Sequence, residues 1–117
     1  MERLAPRDLF VPHAVVAETS FLLPHEVHRR RVAALVNELS ITPCPQESEA
    51  GYWAQVCQWL LMYSDHQPDW ADGCIAVLSG LNRRWRVWTY DREFVTIWRR
   101  PDGSRIPLAV TASAERR

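Results

Sequence analysis

The 117-residue sequence contains no lysine, only four glycines and three cysteines, and its fourteen arginines are matched by fourteen acids. A net charge of zero excludes the global positive field that by itself marks a nucleic-acid binder, so any such partner must be held locally. With every cation an arginine, the surface offers planar bidentate donors suited to carboxylates and phosphates, although genome base composition produces the same bias. Scarce glycine in a chain that is 47% hydrophobic and 24% charged excludes a collagenous repeat, a disordered acidic tail and a low-complexity linker. The odd cysteine count, Cys44, Cys57 and Cys74, matches neither a CxxC pair nor a zinc-ligand spacing and argues against a disulfide framework. Cys57 and Cys74 lie among apolar residues and read as small buried hydrophobes in a reducing compartment. Long apolar runs are missing too, because Gln55 and Gln58 interrupt the best stretch, so no membrane partner is expected. The start, Met1 to Pro6, has no secretory pattern. One cytoplasmic domain is the resulting expectation.

What is present is an alternation of strand and helix signals. Leu9-Phe10-Val11 reads as a strand running into a helix at Pro12, with Val15, Val16, Thr19, Leu22 and Leu23 at helical spacing up to Pro24. A second, amphipathic helix from His25 carries Val27, Val32, Leu35, Val36 and Leu39 on one face. Ile41 to Pro45 suits a brief strand, and Gln46 to Tyr63 suits a third helix with Tyr52, Val56, Trp59, Leu60 and Tyr63 on its apolar side. After a turn over 65–68, a fourth helix from Asp69 to about Asn82 is apolar nearly all round and must be well buried. Arg86 to Thr89, Phe94 to Trp98 and Ile106 to Leu108 are strand-like, with a Pro101-Asp102-Gly103-Ser104 hairpin signal between the last two. The pattern predicts an α/β fold with a mostly parallel sheet closing in a short antiparallel element, a core over about 9–108 and a frayed tail from 111.

In such sheets ligands sit beyond the carboxyl ends of the strands, so acids there and at helix N-termini are the first candidates. Glu18 falls inside the first helix among apolar residues, where a charge needs a partner or a cation. Asp69 and Asp72 project from one side of the fourth helix at its first turn, and Asp91 follows the strand ending at Thr89. Each has a plainer reading: Asp69 is a good N-cap and Asp72 completes a capping box, Asp91-Arg92 can form a turn, and Glu18 can pair with an arginine. Carboxylates from distant segments converging on one pocket repel each other and need a divalent cation. Hard oxygen ligands suit Mg²⁺ or Mn²⁺.

Three stretches together, Val15 to Leu23 around Glu18, Asp69-Trp70-Ala71-Asp72-Gly73-Cys74-Ile75-Ala76 and Thr89-Tyr90-Asp91-Arg92-Glu93-Phe94, resemble the successive acidic motifs of PIN-domain ribonucleases, of which the VapC-like toxins are members. The resemblance spans roughly residues 9 to 108, and its most specific element is Thr-x-Asp-Arg-x-Phe before the final strand. It implies a three-layer α/β/α sandwich on a parallel sheet and an acidic Mg²⁺ (or Mn²⁺) site that hydrolyses RNA with an activated water. Glu18, Asp72 and Asp91 correspond to the family's second, third and fourth acids, Asp69 to an accessory acid, and Thr89 to a supporting hydroxyl residue. A cognate antitoxin that inserts an arginine into the acidic site and a homodimer are the implied partners besides RNA. Members of the family open with a strand bearing a first metal-binding aspartate, then one or two helices before the equivalent of Leu9. This sequence lacks them, and Asp8 is no replacement, so the expectation is either an upstream start or an N-terminally truncated PIN-like module that binds a partner protein or RNA without catalysis. A nuclease specific for DNA structure is a third possibility.

Other patterns carry less. His25-x-x-His28 falls short of the i, i+4 spacing of a zinc helix, and no Gly-rich phosphate loop or Ser/His/Asp set can be placed. The arginine clusters at 29–31, 83–86 and 99–100 could hold RNA phosphates or be solvated surface. The six tryptophans could stack on bases, but Trp59 and Trp88 occupy core-like positions and most of the six are expected to be structural.

Overall fold

The computed structural model describes residues 9–23 and 25–110; Asp8, Pro24 and the tail from Thr111 lie outside the described residues. It is an α/β chain with short parallel strands that divides into two units, 1–47 and 48–117.

In the first unit, β1 (Leu9–Val11) pairs in parallel with β2 (Ile41–Pro43), Leu9 opposite Ile41 and Val11 opposite Pro43. Parallel neighbours need a crossover, here α1 (His13–Leu22) and α2 (Glu26–Glu38). Pro43 and Pro45 lack the N–H that would continue a ladder, which keeps β2 to three residues. Pro12, at the N-cap of α1, has no side-chain oxygen to offer. Glu47 serves instead, its two carboxylate oxygens accepting the His13 N–H at 3.0 and 3.3 Å. The expected apolar periodicity places both helices correctly, yet neither contributes a buried residue; Phe21 is 84% exposed and Val27 67%.

The single helix expected over 46–63 is broken where the second unit begins. A 3₁₀ turn (Pro45–Ser48) comes first, and Gly51 takes the left-handed conformation, φ 86°, before α3 (Tyr52–Met62) begins. Tyr52, Val56 and Trp59 form the buried stripe of α3, as the 3.6-residue period requires. After a 3₁₀ turn (Ser64–His66), α4 (Trp70–Leu81) buries Gly73, Cys74, Ala76, Val77, Leu78 and Ser79. Its approach to α3 is close at Gly73, where an added Cβ would stand 3.0 Å from Val56 Cγ1 and 3.3 Å from Leu60 Cδ2. Trp59 stacks edge-on with Trp98 at 5.2 Å, and its indole N–H donates to the Arg99 carbonyl at 2.7 Å. Cys74 is buried as expected; Cys57 is exposed, a correction to its reading as core.

Two further corrections concern the C-terminal third. The β-prone run 94–98 is not a strand: α5 (Glu93–Thr96) occupies it. The Asp91 carboxylate accepts the Glu93 N–H at 3.0 Å and starts the turn, and burial then follows the helical pair Phe94 and Trp98 with Thr96 left exposed. The closing strand pair is instead β3 (Val87–Trp88) beside β4 (Leu108–Val110), parallel, with an irregular register between Val87 and Trp88. Of the expected hairpin only one antiparallel bridge, Arg99 to Arg105, is present, around a turn in which Gly103 has φ 88°.

Candidate functional site

Asp69 and Asp72 are placed by the start of α4. Asp69 is the N-cap in extended conformation, and the two residues form the capping box that their spacing suggests: Asp69 takes the N3 backbone N–H, while Asp72 Oδ2 accepts the Asp69 N–H at 3.1 Å. Asp91 comes from the turn between β3 and α5. Its N–H donates to Thr89 Oγ1 at 3.0 Å, so the Thr-x-Asp spacing fixes the backbone that presents it.

Asp69 and Asp91 both act on Asp72. The carboxyl of Asp72 is pushed up from 3.8 to about 7, first by burial, then by its hydrogen bond with the Asp69 carboxyl and the negative charges of Asp69 and Asp91, against the backbone hydrogen bond that favours its ionised form. The N-terminal dipole of α4 favours an anion there, yet burial outweighs it. At neutral pH the group is therefore poised between holding a proton and releasing it, which is the property of a general acid or base, or of a carboxylate awaiting a cation.

Glu18 belongs to the first unit, on the exposed surface of α1, so the expectation of a charge enclosed by apolar neighbours does not hold; Phe21 and Leu22 beside it are exposed as well. Among the described residues no three His, Cys, Asp or Glu side chains form a ready group of metal ligands. Carboxylate oxygens such as those of Asp69, Asp72 and Asp91 are the donor type that a hard divalent cation takes.

The arginine clusters separate into different roles. Arg100 is buried, 6% exposed, and donates from Nε to Ser79 Oγ at 3.0 Å and from a terminal nitrogen to the Arg83 carbonyl at 3.1 Å. Burial, and then the charge of Arg83, lower its pKa. The Arg99 guanidinium donates to the Val95 and Trp98 carbonyls at 3.3 and 3.0 Å, and Arg83 pairs with Asp102 at 2.9 Å. Asp102 is drawn down to about 2, chiefly by hydrogen bonds from the Ser104 hydroxyl and N–H and then from Arg83. Arg100 and Arg83 thus tie α4 and the loop after it to the turn after α5, and Arg99 holds carbonyls of its own segment, whereas Arg86 and Arg92 are exposed. Trp88, expected in the core, is exposed, as is Tyr90. The alternation Arg86-x-Trp88-x-Tyr90 was the available signal for that exposed face.

No family model, curated protein or solved structure matches this chain. Among the described residues no helix is long and apolar enough to cross a membrane.

Proposed function

We propose that the chain is a PIN-like, divalent-metal-dependent endoribonuclease built as a three-layer α/β/α sandwich, and that it acts as the toxin of a toxin–antitoxin pair. The observation that carries the nuclease reading is the Asp72 carboxyl at the start of α4, raised to about 7 by burial, by its hydrogen bond with Asp69 and by the charges of Asp69 and Asp91. The toxin role, the antitoxin and a homodimer come from the resemblance of the acidic motifs. Asp72 and Asp91 would hold Mg²⁺ or Mn²⁺ with Asp69 assisting, and Glu18 is the further acid that the motifs nominate. When bound, such an ion supplies Lewis acidity at a phosphate and lowers the pKa of a water. Asp72 must give up its proton to serve, so the activity rises with pH through about 7. Asp69, through its backbone N–H on Asp72 Oδ2, orients that carboxylate.

The test is cleavage of single-stranded and structured RNA with Mg²⁺ or Mn²⁺. Activity that vanishes with EDTA and in Asp72→Asn and Asp91→Asn supports the reading, and Glu18→Gln tests the contribution of that acid separately. Cleavage indifferent to chelation and to these substitutions overturns it. A second reading, a catalytically inactive module that binds a partner protein or RNA, is favoured by the lack of a ready metal-ligand group among the described residues and by the engagement of Asp69 and Asp72 in a capping box. It predicts binding without cleavage, unaffected by Asp72→Asn.

A further inference from the structure

From Trp85 to Tyr90 the chain alternates between half-buried and exposed residues: Trp85, Val87 and Thr89 turn inward, and Arg86, Trp88 and Tyr90 face solvent. Trp88 is 54% and Tyr90 63% exposed, an unusual placement for two large rings on neighbouring sites of one face. Residues two apart on an extended segment stand about 7 Å from one another, so the cation and the two rings form a row. The row runs directly into Asp91, and Arg92 lies exposed beyond it. Among the described residues the side chains of Arg86, Trp88, Tyr90 and Arg92 have no hydrogen bond, ion pair or ring partner, in contrast to Arg83, Arg99 and Arg100, which the fold uses internally.

Unpaired guanidinium groups flanking unpaired aromatic faces complement one kind of polymer, a chain of phosphates with accessible bases. Base–aromatic stacking is tolerant of sequence and requires bases free of a duplex, and arginine supplies the phosphate contact. We propose that Arg86, Trp88, Tyr90 and Arg92 form a binding track for single-stranded RNA, with bases stacked on Trp88 and Tyr90, that delivers the strand to Asp91. The inference rests on the nuclease reading for its direction and adds to it the form of the substrate and the residues that select it.

The test is fluorescence anisotropy of a labelled single-stranded RNA oligonucleotide with the full chain in EDTA, so that binding is read without cleavage. Trp88→Ala and Tyr90→Ala each weaken binding by about tenfold, while Trp88→Phe and Tyr90→Phe retain most of it. Arg86→Gln lowers affinity and reduces the slope of log affinity against log salt by about 1. Duplex RNA of the same sequence binds more weakly than the single strand. Unchanged affinity in both alanine variants, or a preference for duplex, overturns the track. So does a shift of the alanine variants from dimer to monomer with RNA affinity intact, which would make the rings a protein interface. The two proposals fail separately: ring-dependent binding without divalent-dependent cleavage keeps the track and removes the nuclease, whereas cleavage lost in Asp72→Asn but indifferent to both rings at subsaturating RNA does the reverse.

Discussion

Asp72 holds its proton up to about pH 7 in the folded chain, against an ordinary value of 3.8, because burial and two neighbouring acids oppose its charge. Between those two values the native state binds more protons than the unfolded state, so stability falls as pH rises from about 4 to about 7 and the loss is complete above it. Asn at this position keeps an oxygen to accept the Asp69 N–H and an amide to donate to the Asp69 carboxylate, and it cannot ionise. Asp72→Asn is therefore expected to be more stable than the parent at about pH 8 and equal to it near pH 4, read as urea midpoints; a variant less stable at the higher pH would contradict the proposed cause. Ser79 makes a second case. Its Oγ accepts from the buried Arg100, and removing it strands a charged donor away from water. Ser79→Ala is expected to cost about 1–3 kcal/mol of unfolding free energy.

The two glycines of α4 give opposite expectations. Alanine is favoured over glycine in a helix interior by about 1 kcal/mol. At Gly73 that gain meets the fully buried Val56 at 3.0 Å, a β-branched side chain on a helix with one strongly preferred rotamer, and overpacking of about 1–3 kcal/mol outweighs it. At Gly80 the nearest atom, Pro101 Cδ at 3.3 Å, belongs to an exposed turn residue that can yield. Gly73→Ala should lower the thermal midpoint and Gly80→Ala should raise it, and thermal unfolding of the pair under one buffer decides both signs. The same contrast explains which elements were legible in the sequence. α3 announced itself because Tyr52, Val56 and Trp59 are buried by the period that reveals them, and α4 because a helix apolar nearly all round must be buried, as Cys74, Ala76, Val77 and Leu78 are. Phe94 to Trp98 misled because its residues favour strands, while the local Asp91 turn onto the Glu93 N–H and the tertiary burial of Phe94 with Trp98 decide for a helix. At the candidate site, Asp69, Asp72 and Asp91 were readable as acids at a helix start and a strand end. Their mutual effect on the Asp72 proton was not, because it depends on burial.

Burial is distributed unevenly along the chain, and the consequence reaches beyond any one element. Among the described residues before Ser48, Cys44 is the buried side chain, and α1 and α2 contribute none. After it, Tyr52, Val56, Trp59, Val77, Phe94, Trp98 and Ile106 build a core with aromatic packing through Trp59, Tyr63 and Trp98. Apolar burial is the main favourable term that holds a segment folded, and segments with little of it open by routes less costly than global unfolding. Hydrogen exchange of the isolated chain should therefore show α1 and α2 amides exchanging at least about tenfold faster than those of α3 and α4. Capping modulates this within α1, where Glu47→Ala removes the acceptor of the His13 N–H and should speed exchange in the first turn of α1 while leaving α4 unchanged. Equal protection in all four helices would mean that the exposed apolar side chains Phe21, Leu22 and Val27 are covered in solution. Dilution would then separate the two causes, since a covering copy of the chain dissociates and releases its protection, whereas protection intrinsic to α1 and α2 is independent of concentration.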